Sequence, residues 1–374
     1  MGTSNRIALT KPSGSGWKPE MFSRWVVTLI AFASLAARAA TTALDIYFID
    51  VEGGQATLII TPSHESLLVD AGFPGAGTFT SKPGDPQKAR DAARIATAAR
   101  AAGLKQIDYL LITHFHSDHD GGVPELAQLI PIRTFIDHGG LQDAGSVPGT
   151  VEAFDAYAAV RAKGKHIEVK PGDRLPLKGI EATVVSSSGL TLSSALPGGG
   201  ARNADCAATE LPPRESYENP RCTGFRLDFG EFRFADLGDL TGRPLWALFC
   251  PNDLLGPLDV YLLPHHGGPD AADPATFGSI KPRAAVINNG VTKGGAQETF
   301  AALHSANGIE EVWQLHRSKN PGAENFADDR IANLDESTSY WIKVSAKSDG
   351  SFTVANARTG TTKSYGPHPK RADN

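Results

Sequence analysis

The sequence predicts an α/β fold in which strands come first and alternating strand–helix units follow. Three observations carry that prediction. Between residues 44 and 72, β-branched and apolar runs are broken by Gly or Pro. From residue 258 to 315, short apolar runs alternate with helical stretches, the pattern of layered α and β structure. The 374 residues, 41% hydrophobic and 21% charged, are enough to bury at least one large core.

The elements follow in order. "LDIYFIDV", "QATLIITP" and "SLLVDAG" are the opening strands. Residues 87–102, rich in Ala and Arg, are expected as a helix stopped by Gly103. "QIDYLLIT" is then a buried strand running straight into "HFHSDHDGG", and helices near 122–129 and 151–163 enclose the strand "IRTFID". Residues 186–220 are too long for an ordinary connection, so they are expected to be either disordered or a loop that covers substrate. "TGFRLDFG" and "EFRFADLG" read as two strands on a tight turn. Strand "LDVYLL", helix 273–280, strand "AAVINN", helix 296–304 and strand "EEVWQL" come next. Residues 339–360 read as a C-terminal β-hairpin turning at Asp349-Gly350.

Residues 1–39 are expected to be a signal peptide rather than part of the fold. An apolar stretch near Val26 to Ala37 follows Arg24 and ends in Ala37-Arg38-Ala39, a cleavage signature, with Met21 as the expected start. The competing reading is an N-terminal anchor, but the stretch is shorter than the roughly 20 residues a span needs. One domain, 40–374, is expected to be exported to the periplasm or secreted. The full chain carries a formal charge of −5, and without residues 1–39 it has 31 basic against 40 acidic side chains. That balance excludes the basic footprint of a strong duplex nucleic-acid binder. The cysteines are Cys206, Cys222 and Cys250. Cys206 and Cys222 flank a Pro-rich loop and could pair; without a CxxC, a thiolate zinc cluster is not expected.

"THFHSDHDGG" carries the strongest chemical signal. It places His114, His116, Asp118 and His119 within six residues, directly after an apolar strand. A regular strand or helix cannot aim four such side chains at one place, whereas a tight loop at a strand end can fan them around neighbouring points. Imidazoles and a carboxylate suit Zn²⁺, and also Mn²⁺ or Fe²⁺. Gly121 and Gly122 are expected to permit the sharp turn into the next helix. A second pair, His265-His266, stands at the end of another apolar run, in "YLLPHHGG".

The H-x-H-x-D-H run resembles the signature of metallo-β-lactamase-fold hydrolases, and the flanking motifs resemble their ComEC-like branch, the hydrolase module of competence proteins. The counterparts here are "DVEGGQA" (50–56), "LLVDAG" (67–72), Asn219 to Cys222, "LGDL" (237–240) and His265-His266-Gly267-Gly268. The likeness spans about residues 44–316. It implies a four-layer αββα sandwich and a dinuclear centre, with zinc favoured. By that resemblance Asp239 is the bridging carboxylate. Asp236 is its rival, but Gly238 and the family's Gly-Asp pairing favour Asp239. His265 aligns with the last metal ligand, while His266 faces the other way as local support or substrate contact. Asp70 is expected to orient a ligand imidazole.

Departures from the pattern shape the remaining expectations. Many relatives supply a third His to the first metal from just before the hairpin, and here Glu218 and Asn219 stand at that place. A ligand role for His138, approaching from a neighbouring loop, is the alternative to contact with substrate or a surface role, which is the favoured reading; His166 is read as structural. One metal position (Asp118, His119, Asp239, His265) is therefore expected to be complete and the other (His114, His116, Asp239) one ligand short and weaker. Gln55 and Glu52 replace a family acid and glycine, and "NNGVTKGGAQE" lacks the family's His-Pro. Gly268 stands where relatives often have Ser. The expected activity is an exported hydrolase using a metal-bound hydroxide, with Asp118 or Asp239 orienting the nucleophile and taking its proton. The resemblance favours phosphodiesters of nucleotide or short-oligonucleotide size. The alternatives are lactone, ester or β-lactam hydrolysis, or a non-catalytic, metal-containing binding protein of the cell envelope.

Overall fold

Alternation of apolar side chains along the strands sets the architecture. The computed structural model describes residues 43–75, 89–142, 146–271 and 273–367, so the expected signal peptide lies outside the described residues. The first half runs β1 (Leu44–Phe48), β2 (Thr57–Ile60), β3 (Ser66–Val69), α1 (Arg90–Ala101), β4 (Ile107–Leu111), α2 (Val123–Leu129), β5 (Ile132–Asp137), α3 (Thr150–Arg161) and β6 (Lys165–Glu168). The second half begins β7 (Glu181–Ser187), β8 (Leu190–Thr191), β9 (Gly224–Phe229), β10 (Phe232–Asp236), α4 (Gly242–Phe249) and β11 (Val260–Leu262). It continues α5 (Pro274–Ile280), β12 (Ala284–Ile287), α6 (Gln297–Ser305) and β13 (Glu311–His316). It ends with β14 (Ile331–Asn333), β15 (Ile342–Ala346), β16 (Phe352–Asn356) and β17 (Thr362–Tyr365).

Two sheets result, ordered β17-β16-β15-β1-β2-β3-β4-β5-β6 and β14-β13-β12-β11-β10-β9-β7-β8. Their inward faces meet in one core: Leu44, Ile46 and Phe48 of β1 pack with Phe232 and Phe234 of β10. Phe48 and Phe234 meet edge to face at 5.9 Å. Burying each such ring contributes about 2–3 kcal/mol. The intervening residues face outward. Tyr47, Leu58 and Leu110 pack with Ile95, Ala96 and Leu126 of α1 and α2. On the second sheet Ala235, Tyr261 and Ile287 pack with Leu248, Phe249 and Phe300 of α4 and α6. Three cores between four layers make the αββα sandwich of the metallo-β-lactamase type.

The tail differs from a simple hairpin. β15 and β16 continue into β17, and β15 pairs antiparallel with β1, which joins the chain's end to its opening strand. β17 is obscure in sequence because only Tyr365 of "TKSY" is buried. Residues 186–220 fold against the second sheet's helices. Asn203 Nδ2 donates to the carbonyls of Phe249 and Ala275 at 3.1 and 2.7 Å, and a disulfide ties Cys206 to Cys250. The partner of Cys206, which the sequence leaves open, is therefore Cys250 and not Cys222. Cys222 is buried just before β9, in the core between the second sheet and its helices, whereas Cys206 lies at the end of α4, beside Cys250. Among the described residues, no helix is long and apolar enough to cross a membrane.

Candidate metal centre

The carboxyl ends of parallel strands β3, β4 and β5 face those of β10, β11 and β12, and the site is built in that cleft. Asp70, just past β3, is fully buried at φ +60°. Its Oδ1 accepts the Thr113 N–H at 2.7 Å, and its Oδ2 accepts the Thr113 hydroxyl at 2.8 Å and His119 Nδ1–H at 2.7 Å. That bond fixes the His119 tautomer and turns Nε2 toward the cleft. His114 Nε2 and His116 Nδ1 face each other at 3.0 Å. The loop turns into α2 at Gly122 for a reason other than the expected one. Its φ is −78°, ordinary for any residue, but a Cβ there would collide with the Ala71 carbonyl.

From the opposite sheet comes Asp239. Gly238, at φ +57°, lets its backbone pass so close to Thr113 that a Cβ would stand 2.7 Å from the threonine Cβ. Asp239 Oδ2 lies 3.2 Å from His119 Nε2 and 3.9 Å from His114 Nε2. Asp236, its rival, points elsewhere: its Oδ1 accepts Gln55 Nε2–H at 2.9 Å and the Gly238 N–H at 3.0 Å. Gln55 Oε1 in turn accepts from Asn288 at 3.1 Å, so one amide links the β1–β2 loop to the ends of β10 and β12.

The histidine pair is reversed relative to expectation. His266 Nε2 lies 3.2 Å from Asp118 Oδ2 and 3.1 Å from Asp239 Oδ2. His265 Nδ1 instead pairs with Asp270 at 2.8 Å, and its Nε2 is 4.0 Å from Asp239. In a strand, neighbouring side chains point to opposite sides. Here His265 and His266 both adopt left-handed backbone, φ +50° and +55°, in the turn Pro264–Gly267, and that alternation is lost. Asp118, His119, Asp239 and His266 offer ligand atoms that all lie within 4.8 Å of one another. His114 and His116 adjoin this group. His138 is not among them: its ring packs at a tilt on Phe115, with centroids 4.4 Å apart, and its Nε2 meets Glu218 at 3.1 Å.

Electrostatics divide the histidines. Burial opposes protonation of His119, but Asp239, Asp118 and Asp70 outweigh it and raise its pKa well above 6.5. Burial, then His119 and His116, hold His114 well below 6.5, the neutral form a metal takes. Burial disfavours the Asp118 carboxylate, yet Lys293 and His119 bring its pKa well below 3.8; for Asp239, His119 and His266 do the same. Asp236, buried without a cation, is pushed up to about 7.

The donor set fits a divalent ion. His116 Nε2 and Asp239 Oδ1 are buried without a hydrogen-bond partner, and nitrogen and carboxylate oxygen are the ligands zinc and its neighbours prefer. A second group, Asp50, Glu52 and His316, also converges, but guanidiniums already neutralise it. Arg94 binds Asp50 and Glu52 at 2.9 Å each, and Arg90 binds Glu52. Sequence reasoning missed Lys293, whose ammonium touches Asp118; its only signal was its place in a Gly-flanked loop after β12.

Residues 49–184 match the Metallo-beta-lactamase superfamily. No curated protein matches the chain. Among solved structures, YhfI from Bacillus subtilis is 13% identical with a TM-score of 0.40, covering 73% of this chain and 95% of that one. A diphosphatase of the PhnP family is 12% identical with a TM-score of 0.38, covering 79% and 96%. A metallo-beta-lactamase from Cronobacter sakazakii is 16% identical with a TM-score of 0.31 over 52% of this chain, which spans 60% of that structure's length. The matched residues 49–184 hold Asp70 and the whole His114–His119 loop.

Proposed function

We propose that the chain is an exported metal-dependent hydrolase acting on phosphodiesters of nucleotide or short-oligonucleotide size. The observation that carries this reading is the convergence of Asp118, His119, Asp239 and His266 within 4.8 Å at the facing strand ends. A divalent ion in such a group, with a second beside His114 and His116, supplies Lewis acidity and lowers the pKa of water toward about 7. The chain's own residues do the rest. Asp70 holds His119 in one tautomer, and Asp118 and Asp239 stay ionised, so either can orient the attacking water and accept its proton. The ComEC-like motifs favour a phosphodiester, and the acidic balance favours a short substrate over a duplex. The Cys206–Cys250 disulfide supports an oxidising compartment.

The test is turnover by purified protein with Zn²⁺, Mn²⁺ or Fe²⁺ on bis(p-nitrophenyl) phosphate, nitrocefin and a lactone panel. Chelator-sensitive cleavage of the phosphodiester is expected. Cleavage of nitrocefin or lactones alone would move the reading to carboxylic substrates, and no turnover with any of them would favour a binding protein.

A further inference from the structure

Lys293 stands at the rim of the four-residue group. Its ammonium touches Asp118 Oδ2, lies 3.4 Å from His266 Nε2 and sits 5.3 Å from the centre of the Phe73 ring. The loop that carries it is fixed on two sides. A Cβ on Gly53 would stand 2.8 Å from Lys293 Cβ, so the β1–β2 loop packs directly on the lysine stem. On the other side, the Gly295 N–H donates to the His266 carbonyl at 2.9 Å. Yet the side chain is 40% exposed, so a solute entering the cleft can reach it. The nearby arginines are committed elsewhere, Arg90 to Glu52 and Asp91, and Arg94 to Asp50 and Glu52.

An anion entering this cleft beside Asp118 meets the Lys293 ammonium at the rim. We propose that Lys293 is a specificity-determining residue that grips an anionic oxygen of the substrate, a non-bridging phosphate oxygen, beside the metal centre. A charge-assisted hydrogen bond from a half-buried ammonium corresponds to about tenfold to hundredfold in affinity. The substrate class rests on the hydrolase reading; the anion grip does not.

Titration of inorganic phosphate into metal-loaded wild type, K293Q and K293R, with metal content measured in parallel, tests this. K293Q is expected to bind phosphate at least tenfold more weakly with unchanged metal content, and K293R to stay within about threefold of wild type. KM for bis(p-nitrophenyl) phosphate should rise in K293Q by a similar factor, with a smaller change in kcat. A wild type that cleaves no phosphodiester, but whose phosphate binding still falls tenfold in K293Q, supports the grip and removes the phosphodiesterase reading. Unchanged phosphate affinity in K293Q, or loss of the bound ion, overturns the proposal.

Discussion

The first half of the centre comes from one loop, with His114, His116, Asp118 and His119 inside six residues after β4, whereas the second half is assembled one residue per strand end. Asp239 follows β10, His266 follows β11 and Lys293 follows β12. In the first half the spacing itself is the signal, because the ligand types are crowded where no regular element could use them together. In the second half, position depends on how each strand turns at its end. At the end of β11, two consecutive left-handed residues decide which side chain enters the cleft.

Breaking the dispersed half should have the largest effect. Asp239→Ala removes the carboxylate that both His119 and His266 face, and turnover should fall by about 10³-fold or more while circular dichroism stays native. Asp236→Asn, three residues away but outside the group, should leave turnover within about tenfold.

A second comparison uses pH. Asp91 of α1 supports the end of the first half by accepting the Phe73 N–H at 2.8 Å, and burial raises its pKa from 3.8 to about 6 despite Arg90. Because the folded value is raised, the stability it contributes is fully present below 3.8 and is lost as pH rises through about 6. Urea unfolding between pH 4 and 7 should show wild type losing about 3 kcal/mol more than Asp91→Asn over that window. Parallel curves would show that the carboxyl titrates normally.

Smaller effects sharpen the contrast between direct and supporting residues. Asp70→Ala frees the His119 ring and should weaken metal binding 10–100-fold in a competitive chelator titration, roughly the effect of losing a partner that orients a ligand. Gln55→Leu removes one hydrogen-bond partner from each of Asp236 and Asn288 and should lower stability by about 1–3 kcal/mol, read as a shift in the urea midpoint, with metal affinity within about threefold of wild type.

Much of this is legible in the residue types alone. The strands bearing Asp70 and Asp239 announced themselves by apolar runs ending in Asp and Gly, and the β4 loop by its composition. What escaped reading depends on geometry that residue types do not encode. His266, rather than His265, faces Asp118 and Asp239 because two consecutive residues are left-handed, an uncommon conformation for any residue but Gly. The Cys206–Cys250 bond joins residues 44 apart across α4, a proximity set by the packing of residues 186–220. Lys293 drew no attention because a lone lysine in a loop is usually solvated. α4 was missed because "GRPLWALF" is only eight residues long and opens with Gly and a proline.

The reversed histidine pair offers the most direct test of the centre, by metal analysis of His265→Ala and His266→Ala after gel filtration and mild chelation. The geometry predicts that His266→Ala loses the tightly held ion while His265→Ala retains it at the wild-type level. Retention in His266→Ala together with loss in His265→Ala would contradict the four-residue group on which the account rests.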